Sequence, residues 1–236
     1  MAPANGRVTL RTVLIESSLL SGPVLVAASM LAALATALCL TLRPWRDWLV
    51  DTERQIVWLV SLVMLGAVWS LHAGVTPGMS LRFLLITTLT LLHGWALTIL
   101  GAGLVLAVLS AIGIADWAGY GANLLCSAVV PALFTGRLHE IVHHRLPQNY
   151  FVYFFISVFL SAALAWTLAA LTRGLMLALS GSPPTGGLLG EDYLAVLALM
   201  TFGEAFINGL LIATAVVFTP RWVMSFDDRA YLSKHE

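Results

Sequence analysis

Residues His139, Glu140 and His143 stand in the stretch LHEIVHHRLPQN (138–149) in the pattern His-Glu-x-x-His. On a helix the two imidazoles lie one turn apart and can hold one Zn²⁺, with Glu140 as general base to a metal-bound water. A catalytic zinc needs a third protein ligand, which a membrane protease would draw from a later helix. No acidic residue lies in 149–172; the next are Glu191, Asp192 and Glu204. Pro147 stops the helix just past the motif. The competing reading is a solvated helix end carrying Arg137, His139, Glu140, His143, His144 and Arg145, where cations are favoured. Between these stands a non-catalytic metal contact through His139 and His143.

Other polar residues stand where they are expensive. Glu204 lies inside the apolar run 200–218, and Asn208 follows four residues later on the same helical face. A charge at that depth must be neutralised, paired or turned toward protein or a water-filled cavity. The pair is therefore expected either to clamp helices together by hydrogen bonds or to line a ligand pocket. His72, in WSLHAGVTPG (69–78), ends an apolar run before a Gly/Pro loop. It is expected to line a pocket or to sit in the interfacial belt beside Trp69. His93 precedes Gly94 at a helix turn. Asn123, in YGANLLCSAVVP (120–131), is expected to cap a helix N-terminus or to join the same pocket.

The elements that position these residues follow from composition. Of 236 residues 59% are hydrophobic and 10% charged, and the mean hydropathy is +0.91. Too little charge is present to cover a soluble domain, so the class is an all-α, polytopic transmembrane bundle in contact with the lipid bilayer. With 12 basic and 12 acidic residues the chain offers no basic face for nucleic acid. Cys39 and Cys126 both fall in apolar runs and read as packed thiols. The run from Leu19 to Leu42 exceeds a signal-peptide core and reads as a retained helix. Apolar stretches near 19–42, 55–72, 95–113, 122–144, 149–172 and 193–218 each approach the roughly 20 residues a span requires. The segment 80–93 is short and predicts a half-helix or a steeply packed span, so six to seven helices are expected. The domain layout is an N-terminal extension over 1–18, one helical domain over 19–218 and a cytoplasmic tail over 219–236.

Orientation follows from the distribution of Lys and Arg. With seven crossings one side holds Arg43, Arg46, Arg54, Arg137, Arg145, Arg221, Arg229 and Lys234, and the other Arg7, Arg11, Arg82 and Arg173. That asymmetry puts the N-terminus outside and the C-terminus in the cytoplasm, in a bacterial inner membrane.

Three segments, in order, resemble the membrane substrate-binding subunit of cobalt and nickel energy-coupling-factor transporters, the CbiM/NikM family. They are IESSLLSGPVLVAASMLAA (15–33); HAGVTPGMSLRFLL (72–85) with AGYGANLLCSAVVP (118–131); and FGEAFINGLLIATAVVF (202–218). The first is similar to the family's opening Met-His-Ile-Pro-Asp-Gly-Phe-Leu-Ser. The second is similar to its His-Pro-Thr-Gly-Thr-Gly loop and its Leu-Gly-Ala-Asn run, and the third to its Gly-Glu-x-x-Ile-Thr motif.

The resemblance implies a bundle of six or seven helices, an external N-terminus and a transition-metal site. In the family the metal is held by the N-terminal amine, the adjacent His and a His after the second helix. Here the last of these corresponds to His72. Leu14 stands at the position of the family's N-terminal His, Ser17 at that of its acid, and an extension displaces the free amine. The resemblance further implies capture in an outward-facing pocket near His72, with release driven by an ATPase and a coupling membrane subunit. The chain carries no G-x-x-x-x-G-K-[ST] sequence of its own, so it is expected to be non-catalytic alone. A second reading is an accessory or structural subunit of a larger membrane enzyme complex; the third is the zinc protease of the His-Glu-x-x-His stretch. No N/S cluster specifies which metal, if any, is bound.

Overall fold

The apolar stretches fold as helices in the computed structural model, which describes residues 17–42, 50–71, 73–76, 79–181 and 191–226. After a 3₁₀ turn, Ser17–Leu19, come α1 (Gly22–Leu42), α2 (Thr52–Ser70), strands β1 (Ala73–Thr76) and β2 (Met79–Leu81), α3 (Ile86–His93), α4 (Trp95–Ala111), α5 (Tyr120–Arg145), α6 (Tyr150–Leu179) and α7 (Glu191–Phe218). Among the described residues these seven helices form an all-helical bundle with one small hairpin. Four helices contain stretches long and apolar enough to cross a membrane: Gly22–Thr41, Tyr120–Arg145, Tyr150–Leu179 and Leu197–Phe218. Their outer faces are apolar, as at Met30, Leu34, Phe155, Phe202 and Phe206, which suits helices that meet lipid. The chain is a multi-pass membrane protein.

One boundary departs from the sequence reading, and at 80–93 the half-helix alternative holds. The span expected at 149–172 continues to Leu179, because Arg173 does not end the helix. The segment 80–93 is only partly helical. Its first residues close a two-stranded hairpin in which Ala73 pairs with Leu81 and Gly74 with Ser80. Residues 82–85 are irregular, and only Ile86–His93 is helix, about 12 Å long.

Leu85 enters α3 with φ 55°, a left-handed conformation that a branched side chain rarely adopts. Gly94 leaves it with φ 82° and breaks the chain sharply before α4. α4 then runs alongside α2 in the same direction. Trp58 Nε1 donates to Leu97 O at 3.2 Å, Gly101 packs on Leu62 and Trp58, and Gly66 faces Val105. The half-helix α3 therefore turns back from the hairpin end of the bundle, and α4 sets out again from the opposite end.

Small residues permit the closest crossings. A Cβ on Gly121 of α5 would come within 2.5 Å of the Ser29 Cα of α1, the kind of backbone approach that membrane helices use in place of a hydrophobic driving force. α5 and α6 each contain a π segment, Leu125–Val129 and Tyr153–Leu160.

At the end opposite the hairpin, residues 219–226, placed in a tail by sequence, pack against the bundle. Met224 N and Ser225 N donate to Leu92 O and Leu91 O. Trp222 Nε1 donates to Glu53 at 2.7 Å, and Phe226 packs on Tyr153.

Candidate functional site

The short α3 begins inside the bundle, so its free amides need partners that are not water. α7 supplies them. Glu204 Oε2 accepts from Leu84 N at 2.9 Å and Oε1 from Leu85 N at 2.7 Å. Asn208 Oδ1 accepts from Thr88 N at 2.8 Å and from Thr88 Oγ1 at 2.7 Å. Asn208 Nδ2 in turn donates to Glu204 O at 2.8 Å and to Glu204 Oε1 at 3.0 Å. Both side chains are buried. One carboxylate and one carboxamide, a turn apart, thus hold the entry to the half-helix and fix Leu85 in its strained conformation.

Arg82 precedes this cap and is 4% exposed. Its guanidinium lies 4.6 Å over the Trp69 ring, and Nη2 donates to Ser127 Oγ in the π segment of α5 at 2.9 Å. Trp166 Nε1 donates to the Arg82 carbonyl and Trp69 Nε1 to that of Leu84. Three helices are thereby pinned to the irregular stretch 82–85. Sequence reading assigned Arg82 only to the count of side charges. A lone Arg within the short apolar segment 80–93 was the available signal, because an ionisable residue at membrane depth marks a site by default.

The remaining candidates separate into different parts of the bundle. His72 lies outside the described residues. Asn123 is buried in the first turn of α5, where Gly119 rather than Asn123 is the capping residue; Asn123 Nδ2 donates to Gly119 O at 3.0 Å. His93 is buried at the end of α3, with Nε2 3.0 Å from Ser61 Oγ.

His139 and His143 lie toward the far end of α5, away from Glu204 and Asn208. Their ring centroids are 6.1 Å apart. His139 Nδ1 lies 3.4 Å from Ser157 Oγ, and its ring meets Tyr153 edge-on. Glu140, the would-be base, is paired at 3.0 Å with Arg137 on the exposed side of the helix. Among the described residues no three His, Cys, Asp or Glu side chains come together as a metal cluster.

Near the hairpin end Ser17 Oγ donates a short hydrogen bond to Asp116 Oδ2 in the loop before α5, and Ala118 N donates to Oδ1. The Ser17 hydroxyl above all holds the Asp116 carboxyl below its ordinary value. Partial desolvation acts the other way, and the Ala118 amide adds to the lowering.

A family model described as "Cobalt uptake substrate-specific transmembrane region" matches residues 15–222. No curated protein matches the chain. Two solved structures share the fold. A truncated transition metal transporter superposes with a TM-score of 0.71 at 13% identity, covering 86% of this chain and 98% of that one. A transition metal transporter gives 0.70 at 13% identity, covering 85% and 91%.

Proposed function

Because the chain belongs to the CbiM family of cobalt-uptake transmembrane regions, a family of membrane metal-transporter subunits, we propose that it is the substrate-binding subunit of an energy-coupling-factor transporter for a cobalt- or nickel-like ion. The observation that carries this reading is the extent of the family match, residues 15–222, which takes in the N-terminal segment, the hairpin and the Glu204 helix together. In the proposed cycle the metal enters a pocket at the hairpin end near His72, with the N-terminus outside the bacterial inner membrane and the C-terminus in the cytoplasm. Release is driven by a separate ATPase and a coupling membrane subunit, the chain itself being non-catalytic.

Glu204 and Asn208 belong to this proposal as the residues that shape the pocket floor, because the Glu204 carboxylate and Asn208 Oδ1 hold the start of α3. Asn123 stands one turn before Ser127, the partner of Arg82, and belongs to the same floor.

One observation favours a second reading, a non-catalytic scaffold within a larger membrane enzyme complex. Leu14 and Ser17 stand where the resemblance implies a metal-binding His and an acid. Purification of the native protein in mild detergent, with mass spectrometry of stoichiometric partners, separates the two. An ATPase with a coupling membrane subunit is the expected result. Oxidoreductase or other enzyme subunits in their place would sink the transporter reading.

A further inference from the structure

The clamp at the start of α3 has a counterpart at its end. A helix leaves its last four carbonyls, here those of residues 90–93, without partners of its own. Gly94 N takes the first of them. Ser225 N donates to Leu91 O at 3.1 Å, and Met224 N to Leu92 O at 3.3 Å. These carbonyls are thus capped by backbone amides of the strap that continues α7, residues 219–226. The strap also lies hard against the break before α4, where a Cβ on Gly94 would come within 2.7 Å of Met224 Cε.

Both ends of α3 are therefore held by one continuous piece of chain: Glu204 and Asn208 at its start, Met224 and Ser225 at its end. The eight residues between make about two turns. A helix that short does not persist on its own hydrogen bonds, because too few form to offset nucleation. Its order is set by its caps, so loss of one cap weakens the hold of the other.

The two caps differ in burial. Glu204 and Asn208 lie inside the bundle. The strap tucks Val223 and Phe226 in beside Leu91 and Tyr153, and the Ser225 and Tyr153 hydroxyls meet at 2.8 Å. Its outer part is tied, among the described residues, by exposed contacts. Arg221 pairs with Glu53 at 3.0 Å, and Trp222 donates to the same carboxylate. Pairs of this kind contribute little in water. A cavity lined by Arg54 and Val57 of α2, His93 of α3, and Arg221 and Trp222 lies beside them. Exposed pairing over incomplete packing puts the strap at the low-stability end of the molecule.

We propose that residues 219–226 are a detachable cap: lifting the strap disorders α3 along its whole length, frees the Leu84 and Leu85 amides from Glu204, and so weakens the pocket at the hairpin end. The effect on the pocket rests on the metal-transport reading; the coupling between the two caps does not.

The test uses the full chain in lipid nanodiscs. Amide exchange is followed by mass spectrometry with fragments that separate residues 84–89 from 90–94, and affinity for cobalt(II) chloride is measured on the same samples. Ser225→Pro removes the amide that caps Leu91 O. Ser225→Ala removes the hydroxyl, keeps that amide and serves as the control. Ser225→Pro should exchange roughly tenfold or more faster over both 84–89 and 90–94, and should bind cobalt about tenfold more weakly. The change in Ser225→Ala should fall well short of that. Coupling is reciprocal, so Glu204→Gln should in turn speed exchange at Met224 and Ser225. Acceleration confined to 90–94, or unchanged protection of 224–225 in Glu204→Gln, would overturn the proposal and leave metal transport standing. Coupled exchange with unchanged cobalt affinity would overturn its claim on the pocket. If Ser225→Pro does not fold, Phe226→Ala loosens the same strap by removing its ring from Tyr153, and the Glu204→Gln arm still decides. Folded wild-type protein that binds no cobalt would overturn the transport reading, while exchange alone still decides the coupling of the caps.

Discussion

Asn208 donates to the Glu204 carboxylate across one turn of α7, 3.0 Å from Nδ2 to Oε1, while its own Oδ1 receives both the amide and the hydroxyl of Thr88. The two side chains act as one cap shared between helices. A half-helix that starts within the bundle has no water to satisfy its first amides, so the cap sets whether α3 forms at all.

Replacing Glu204 should therefore be costly. Glu204→Ala leaves Leu84 N and Leu85 N without their acceptor and takes one of the two acceptors of Asn208 Nδ2, and should lower stability by about 3 kcal/mol or more. Glu204→Gln keeps one acceptor oxygen and should cost about 1–2 kcal/mol. Denaturant titration in detergent micelles measures both, and equal stability of all three proteins would refute the cap.

Asn208→Asp should be worse than Asn208→Ala, although it is the closer match in shape. The aspartate keeps the bonds from Thr88 but loses the donor to Glu204, and it sets a second carboxylate beside the first. Greater loss of thermal stability for Asp than for Ala, narrowing at acid pH, is the expected pattern.

His139→Ala combined with His143→Ala should leave the metal content of purified protein unchanged, because Glu140 is tied to Arg137 and no third ligand joins them among the described residues. Elemental analysis decides this. Stoichiometric zinc that disappears with the double substitution would revive the metal contact.

Gly121→Leu should prevent α1 from seating on α5, since even a Cβ there meets the Ser29 backbone at 2.5 Å. Backbone cannot yield as a side-chain tip does, so poor yield or a reduced melting temperature is expected. Gly181→Ala should leave yield unchanged if packing is the cause, because Gly181 has no atom near its would-be Cβ; its φ of +77° confines any cost to local strain.

The Ser17–Asp116 bond should give stability an acid limb. The Asp116 pKa is depressed in the folded state, so this contribution is present above the unfolded value, near 3.9. It is lost as pH falls through the lower folded value. Ser17→Ala should flatten the limb in thermal melts taken from about pH 5 down to about pH 2; an unchanged limb would exclude the bond as its source.

Six helices were legible because spans announce themselves by length and apolarity, and their ends lie within a few residues of the expected ones except in α6. Glu204 and Asn208 stood out for the complementary reason: polar groups in an apolar run are costly, and four-residue spacing put them on one face. What those two residues hold could not be read. Their partners lie about 120 positions away, and the backbone amides of Leu84, Leu85 and Thr88 leave no mark in composition. The hairpin was missed because Ala73–Leu81 reads as a Gly/Pro loop. Arg82 was missed because a charge near the edge of a short apolar segment looks interfacial until packing buries it.

The π segment Leu125–Val129 gives α5 an uneven tolerance for changes in length. A π turn absorbs one surplus residue locally, so the helix on either side keeps its facing. Loss of one residue inside 125–129 would let α5 relax to ordinary α-helix with Thr135 still against Thr87. Loss of one residue between Val130 and Thr135 would rotate everything that follows by about 100°, carrying Thr135 out of the core. The tolerant stretch is also the one that presents Ser127 to Arg82. Insertion and deletion thus offer a route by which the surroundings of the buried cation can be rewritten while the helix bundle stays in phase.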